Sequence, residues 1–424
     1  MSAAQKIMER IEALAKISDE PGQITRLFAS RAMRQANELV AQWMREAGMT
    51  PRMDAVGNLI GHYDGQKAKA KIFLLGSHLD TVRNAGKFDG PLGVMLSIAC
   101  VEELYRRRIR LPFAVEVIGF ADEEGARYQT ACLGSRVLAG CLDERHLRRR
   151  DANGISMAEA TKFLGGNPAQ LKAARLNPKK LIGYLEAHIE QGPVLEERNM
   201  AVGIVSAIAG QCRARISFIG CAGHAGTTPT RLRKDALCAA AEFIMAVEKL
   251  AKDTRGLVAT VGEIAAWPGT GNVIPGKTRL SLDVRHIRNS IRHAAQAALK
   301  RAALQIARGR KLRCQYEAVY ETAAVNCSRT LSRLLGQSVK RRQKQLARLP
   351  SGAGHDAAVM AGITPSAMLF IRCKNGVSHH PDESVKLRDV QVALDVLNDF
   401  ILSLGEKHGL TAAAKGGRQH GSTS

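Results

Sequence analysis

The sequence predicts an α/β fold, a mostly parallel sheet carrying the larger domain, with a small two-layer α+β domain inserted into it. Three observations predict this. First, the short apolar runs "AKIFLLGSH" (70–78) and "LPFAVEVIGFADEE" (111–124) flank a helical stretch over 91–107 and stop at small and polar residues. Runs of that kind suit strands buried on both faces of a parallel sheet. Second, from Gln211 the texture changes: alternating "CRARISFIG", helical 235–252, strand-like 256–264 and 278–286, helical "NSIRHAAQAALKRAALQIA" and strand-like "KLRCQYEAVY". That is the β-α-β-β-α-β order of a split βαβ layer. Third, after about Thr322 the buried texture resumes, with helical 354–362, strand-like 365–371 and a last helix near 386–404. The larger domain is therefore expected over 1–209 and 322–410 and the insert over 210–321. A disordered tail, small and polar, is expected over 411–424.

A chain of 424 residues, 45% of them hydrophobic, exceeds the usual size of a single core, which agrees with two domains. The 62 Lys and Arg outnumber the 39 Asp and Glu, giving a formal charge of +23. The basic clusters "YRRRIR", "RHLRRR" and "VKRRQKQLAR" are scattered, aromatic content is only 4%, and no zinc-finger or RNA-binding signature accompanies them. A solvated surface is expected, without a specific nucleic-acid partner. The 9 cysteines form no CxxC pair, which suits reduced thiols in the cytoplasm. No secretory leader is visible, and no run approaches the ~18 apolar residues of a membrane span.

Ligands of a parallel sheet gather beyond the carboxyl ends of its strands. His78 and Asp80 fall there, two residues apart, so both side chains project to one side and the carboxylate can accept the second N–H of the imidazole. Asp89 follows on a glycine-rich loop, and Asp122, Glu123 and Glu124 end the next strand-like run. Converging buried carboxylates require cations or raised pKa values, and a metal supplies the former. His188 in "LEAHIEQGP" and His379 in "GVSHHPDES" add imidazoles. Such donors, without a thiolate set, suit zinc, manganese or cobalt.

In series, "GSHLDTV", "GKFDGPLGV", "FADEEGARY", "CLGSR", "HIEQGPVLE", "GHAGTTP", "NVIPG", "SLDVRH", "SGAGHDA" and "SHHPDE" resemble the M20 metallopeptidase-like superfamily over about residues 5 to 405. Within it, the chain resembles the ureido-amidohydrolase branch of allantoate amidohydrolase, N-carbamoyl-L-amino acid hydrolase and β-ureidopropionase. The resemblance implies two divalent ions per subunit, Zn2+ or Mn2+, with Co2+ or Ni2+ as further candidates. Asp89 would bridge them, His78 and His188 would hold one, and Glu124 and His379 the other. Glu123 would be the general base, with Asp80 in the catalytic set beside His78. His188 marks the branch, since peptidase relatives typically place a carboxylate there. His380 stands where many relatives carry asparagine, and His379, directly after the serine, is taken as the ligand.

The same resemblance makes the inserted domain a lid and dimerisation domain. Its His224 would stabilise an oxyanion at the neighbouring subunit's site, while Gln211, Asn272, Arg285 and Gly354 would hold the substrate, Arg285 by its carboxylate. His355 and Asp356 would start a helix near the site. The implied protein is a homodimeric cytoplasmic amidohydrolase that cleaves the ureido or carbamoyl C–N bond of a small carboxylate substrate, releasing ammonia and CO2. An aminopeptidase or dipeptidase on the same scaffold is the alternative.

Overall fold

A computed structural model describes residues 1–411; the expected tail lies, from residue 412 on, outside the described residues. The chain divides into two compact units: residues 1–206, 327–349 and 355 onward, and residues 207–326 with 350–354. The short return Pro350–Gly354 thus groups with the insert, whereas the sequence leaves it in the larger domain.

Along the chain the strands are β1 (Thr50–Met53), β2 (Leu59–Tyr63), β3 (Ile72–His78), β4 (Ala114–Phe120), β5 (Leu181–Ile189), β6 (Val202–Ile208), β7 (Gly210–Ile219), β8 (Gly223–His224), β9 (Val258–Thr260), β10 (Ile264–Trp267), β11 (Val273–Ile274), β12 (Lys277–His286), β13 (Arg313–Thr322), β14 (Val325–Asn326), β15 (Ala347–Ser351) and β16 (Ser366–Ile371). In the first unit they run in the order β1-β2-β4-β3-β5-β16-β6. The four central strands, β4, β3, β5 and β16, are parallel, with antiparallel neighbours outside them.

The apolar runs that suggested two-sided burial are buried on both faces; every residue of β4 and of β16 is buried. On β5, Leu185, Ala187 and Ile189 join the main core under helix Pro91–Arg106, while the alternate residues Tyr184, Glu186 and His188 face the opposite layer of helices Leu133–Ala139 and Asp356–Met360. From β3 the chain moves to β4 on one side and later to β5 on the other. The crevice at the carboxyl ends of β3 and β5 is therefore a topological switch point.

In the second unit, β7 is central, antiparallel to β12 and β13, and helices Ala236–Asp253 and Asn289–Gly309 pack on one face around Ile216, Phe218, Phe243 and Leu282. The strand expected over 256–264 is broken in two. Thr260 pairs with Asp283 and Ile264 with Leu280, so four steps on one side face three on the other. One extra residue is absorbed around Gly262, the behaviour of a bulge.

A buried ion pair ties β16 to the last helix, Leu387–Lys407. Arg372 donates to both oxygens of Asp389 at 2.8 Å and to Asn199 Oδ1 at 3.0 Å. Replacing Arg372 with Met strands the Asp389 carboxylate in the core, so urea unfolding should report a loss of about 3–5 kcal/mol. Adding Asp389→Leu should recover much of that; a double variant no better than the single would show that packing, not the stranded charge, sets the cost.

Candidate metal centre

The carboxyl ends of the four parallel strands place the chemistry. His78 closes β3, His188 is the penultimate residue of β5, Glu123 and Glu124 follow β4, and His379 follows β16. Asp89 sits between β3 and helix Pro91–Arg106. The structure gathers these into two groups that share Asp89: His78, Asp89 and His188, and Asp89, Glu124 and His379. In each group, one ligand atom per residue lies within 4.8 Å of the others.

Asp89 is the hinge of the arrangement. Its Oδ1 lies 3.0 Å from His188 Nε2 and 3.9 Å from His78 Nε2, and its Oδ2 lies 3.1 Å from His379 Nε2. His379 Nε2 is also 3.2 Å from Glu124 Oε1. Asp89 Oδ2 accepts from Ser378 Oγ at 2.6 Å and from Gln191 Nε2 at 2.9 Å. Gly90, at φ +84°, leaves room for the His78 ring, since a Cβ there would lie 2.4 Å from His78 Cε1.

Both histidines at the strand ends turn Nδ1 to a main-chain carbonyl, His78 to Asp80 at 3.0 Å and His188 to Ile189 at 2.9 Å. A neutral imidazole held that way carries its proton on Nδ1 and presents a bare Nε2 to a metal. The sequence pairs the Asp80 carboxylate with His78, and the two lie within ion-pair reach, Asp80 Oδ1 3.6 Å from His78 Nδ1, where, against burial, the carboxylate raises the proton affinity of the ring. The same carboxylate also accepts the backbone N–H groups of Glu123 at 3.0 Å and Glu124 at 3.1 Å. The period-two alternation ends with the strand at His78, and Asp80 turns toward the loop after β4.

Negative charge dominates the surroundings. Burial, reinforced by Glu124, Asp356 and Asp80 against the opposing charge of His78, holds Glu123 well above the usual carboxylate range. Burial and Asp80 do the same to Asp122, neither of whose oxygens has a hydrogen-bond partner. Burial and Glu186 raise Asp356, whose Oδ1 takes the Ser135 hydroxyl at 2.5 Å rather than capping its own helix. Burial opposes the ionisation of Asp89, but His188 and His379 outweigh it and hold that carboxyl well below the usual range. Imidazole nitrogens beside carboxylate oxygens, in a pocket with orphaned buried oxygens, fit divalent cations of the zinc or manganese type.

Four residues other than glycine, Asp122, Cys132, Gln191 and His379, adopt left-handed φ between +54° and +58° around this cluster. Strain of that kind costs of order 1–3 kcal/mol each and persists where surrounding structure enforces it. His380 does not join the site; its ring lies against Asp382. Gln191, Ser378 and Glu383, which sequence reasoning leaves without roles, hold Asp89. Their one signal is membership of the quoted motifs.

The second unit holds the remaining candidates. Gln211 and Arg285 are direct cross-strand partners, and a Cβ on Gly354 would lie 3.9 Å from Gln211 Nε2. Arg285 already spends one edge on Asp283, through Nε at 2.8 Å and Nη2 at 2.9 Å, and Nη1 donates to the Gly352 carbonyl at 2.8 Å. His224 and Asn272 meet through the β8–β11 pair, where the Ala225 N–H donates to the Asn272 carbonyl at 2.9 Å.

Residues 74–403 match the family model described as peptidase family M20/M25/M40. The chain is 40% identical to an N-carbamoyl-L-amino acid amidohydrolase of Geobacillus stearothermophilus, covering 96% of this chain and 100% of the relative. It is 38% identical to a probable allantoate deiminase of Oryza sativa subsp. japonica, covering 92% and 87%. Among solved structures, an amidase of the hydantoinase/carbamoylase family from Burkholderia multivorans superposes with a TM-score of 0.89 at 30% identity, covering 94% of this chain and 97% of that one.

In the metal-free protein, hydrogen bonds to Asp89 and Glu124 push His379 up to about 10, so the ring is protonated at neutral pH. A metal held at His379 would have to displace that proton. Metal uptake should therefore release protons, and affinity should rise with pH up to that value. Calorimetric titration in buffers of different ionisation enthalpy counts the protons; a count of zero near neutral pH would contradict the placement of His379 as a ligand.

Proposed function

This chain belongs to peptidase family M20/M25/M40, and we propose that it is a metal-dependent amidohydrolase cleaving the ureido or carbamoyl C–N bond of a small carboxylate substrate. Allantoate and N-carbamoyl-L-amino acids are the substrates proposed, with ammonia and CO2 released. The observation that carries the reading is the sharing of Asp89 between two donor groups, with the Glu123 carboxylate beside them. The N-carbamoyl-L-amino acid amidohydrolase and allantoate deiminase among its relatives support the substrate class.

His78, His188 and Asp89 would hold one divalent ion, and Asp89, Glu124 and His379 a second, with Zn2+ or Mn2+ fitting the donors. When bound, such ions polarise a carbonyl and lower the pKa of water toward neutrality. Glu123 would take the proton from the attacking water and pass it to the departing nitrogen. Its raised proton affinity suits a group that must hold a proton between those two moments. Asp80 anchors the backbone of Glu123 and so aims this carboxylate.

His224 would donate to the oxygen that becomes anionic. Its Nδ1 accepts the Gly226 N–H at 3.1 Å, which puts the proton of the neutral ring on Nε2, facing outward as a donor. Arg285 would meet the substrate carboxylate with the N–H groups of Nη1 and Nη2 that Gly352 and Asp283 leave over. Gln211, Asn272 and Gly354 would contact the rest of the substrate. We further propose a homodimer in which His224 serves the partner's site, and a cytoplasmic setting, which the nine free thiols support.

The test is an ammonia-release screen of metal-reconstituted protein against allantoate, N-carbamoyl-L-amino acids, β-ureidopropionate and dipeptides. Turnover of dipeptides alone would favour the aminopeptidase or dipeptidase alternative. Glu123→Gln should keep its metals and lose at least a hundredfold in turnover, roughly the range of general acid–base catalysis. Near-wild-type turnover at saturating substrate would remove Glu123 as the base.

Dimer function can be read by mixing. His224→Ala and Glu123→Gln should each be nearly inactive, yet subunit exchange between them should restore activity, because one site of the heterodimer then combines an intact Glu123 with an intact His224. If mass analysis confirms exchange and activity stays absent, His224 does not serve the neighbouring subunit.

A further inference from the structure

Glu383 belongs to neither donor group, although it ends the "SHHPDE" stretch that supplies His379. It is 3% exposed. A single carboxylate oxygen, Oε1, accepts two consecutive backbone N–H groups, from Phe88 at 2.7 Å and Asp89 at 3.0 Å. The Glu383 N–H donates in turn to the His380 carbonyl at 3.0 Å, which ties the acceptor back to its own loop. The space is closed from the far side: a Cβ on Gly86 would lie 2.4 Å from the Glu383 Cβ and carboxyl carbon. Residue 86 must lack a side chain for this carboxylate to reach the main chain.

We propose that Glu383 is a positioning residue for the metal centre, fixing the loop that carries Asp89 against the loop that carries His379. The inference rests on the reading of Asp89 and His379 as metal ligands. These loops lie nearly 300 residues apart in sequence, and neither ligand lies in a helix or strand. The side chain of Asp89 is held by Ser378, and its main chain by Glu383, so both ends of the residue are gripped by one segment. Gripping the carboxylate alone would leave the backbone free to shift and the side chain free to turn. Gripping both sets position and orientation together, and metal coordination tolerates errors of only about 0.2 Å in ligand distance. The bonded oxygen of Glu383, Oε1, faces main-chain donors and so holds the loop in place.

Wild type, Glu383→Ala, Glu383→Gln and Gly86→Ala should be compared by titrating the metal-free proteins with Zn2+ against a competing chelator, with thermal unfolding of each metal-free form recorded alongside. Glutamine retains one oxygen, which is all the two bonds use, and alanine retains none. Glu383→Ala should weaken Zn2+ binding roughly 10- to 100-fold, the usual effect of removing a group that orients a ligand, while Glu383→Gln stays near wild type. Gly86→Ala displaces the carboxylate without deleting it and should weaken binding in the same direction, which keeps the test decisive if Glu383→Ala does not fold. A merely structural role would lower the unfolding temperature and leave affinity in place. The proposal is overturned if Gly86→Ala and Glu383→Ala bind Zn2+ as wild type does, or if glutamine proves as weak as alanine. Wild type that binds no Zn2+ in the same titration would overturn the metal reading itself, so the two failures are distinguishable.

Discussion

One buried carboxylate, Asp89, must face three imidazoles at once, and the architecture of the first unit follows from that requirement. The partners come from segments far apart in sequence, so their ends have to meet at one place. Parallel strands do this without special loops, because all four central strands finish on the same edge of the sheet. An antiparallel centre would have sent alternate strand ends to opposite edges. The antiparallel pairings are confined to the flanks, where no member of either donor group sits.

Placing the donors together concentrates negative charge, offset in part by the neighbouring imidazoles and by Arg26 and Arg127. Asp80, Asp122, Glu123, Asp356 and Glu186 are all buried near the same strand ends. Some are satisfied locally: Glu186 takes the Ser77 and Tyr184 hydroxyls and the Ala357 N–H, and Asp80 takes two backbone N–H groups. Asp122 has none of these and is driven toward its neutral form by burial. Glu123 and Glu124 are adjacent in sequence yet differ in surroundings. Glu124 points to His379, whereas Glu123 meets the Cys132 thiol at 3.5 Å and the field of its acidic neighbours. Adjacent carboxylates can in this way divide the work of coordination and proton transfer.

Much of this was legible in the sequence because burial and strand ends leave local marks. The apolar runs ending at His78 and Phe120 announced two-sided burial, and the polar residues just beyond them announced the edge where ligands gather. What was not legible depended on where the chain turns after a strand. Asp80 lies two residues from His78, yet its carboxylate also serves the backbone of Glu123 and Glu124, which no spacing rule anticipates. The break near Gly262 likewise hangs on one extra residue that composition does not reveal. Gln191, Ser378 and Glu383 escaped for a different reason. Their partners are donors or acceptors on loops distant in sequence, and a polar residue beside a motif gives no sign of which distant group it will hold.

The identity of residue 188 links the geometry to the proposed substrate class. A ureido or carbamoyl carbonyl is flanked by two nitrogens whose lone pairs delocalise into it, so it is less electrophilic than a peptide carbonyl. Hydrolysis then asks for stronger stabilisation of the charge that develops on its oxygen. In the proposed two-ion centre, an imidazole in place of a carboxylate at position 188 would leave the site one unit more positive. The structure aims that imidazole at the shared carboxylate: its Nδ1 is engaged by the Ile189 carbonyl and its Nε2 faces Asp89, where an incoming metal would replace the Nε2 proton. His355, whose ring centroid is 4.6 Å from that of His188, is kept neutral chiefly by burial. It therefore packs against the ligand without adding a proton that would compete for the same carboxylate. In that proposed centre the extra positive charge would come from the choice of one donor, with the neighbouring ring left uncharged.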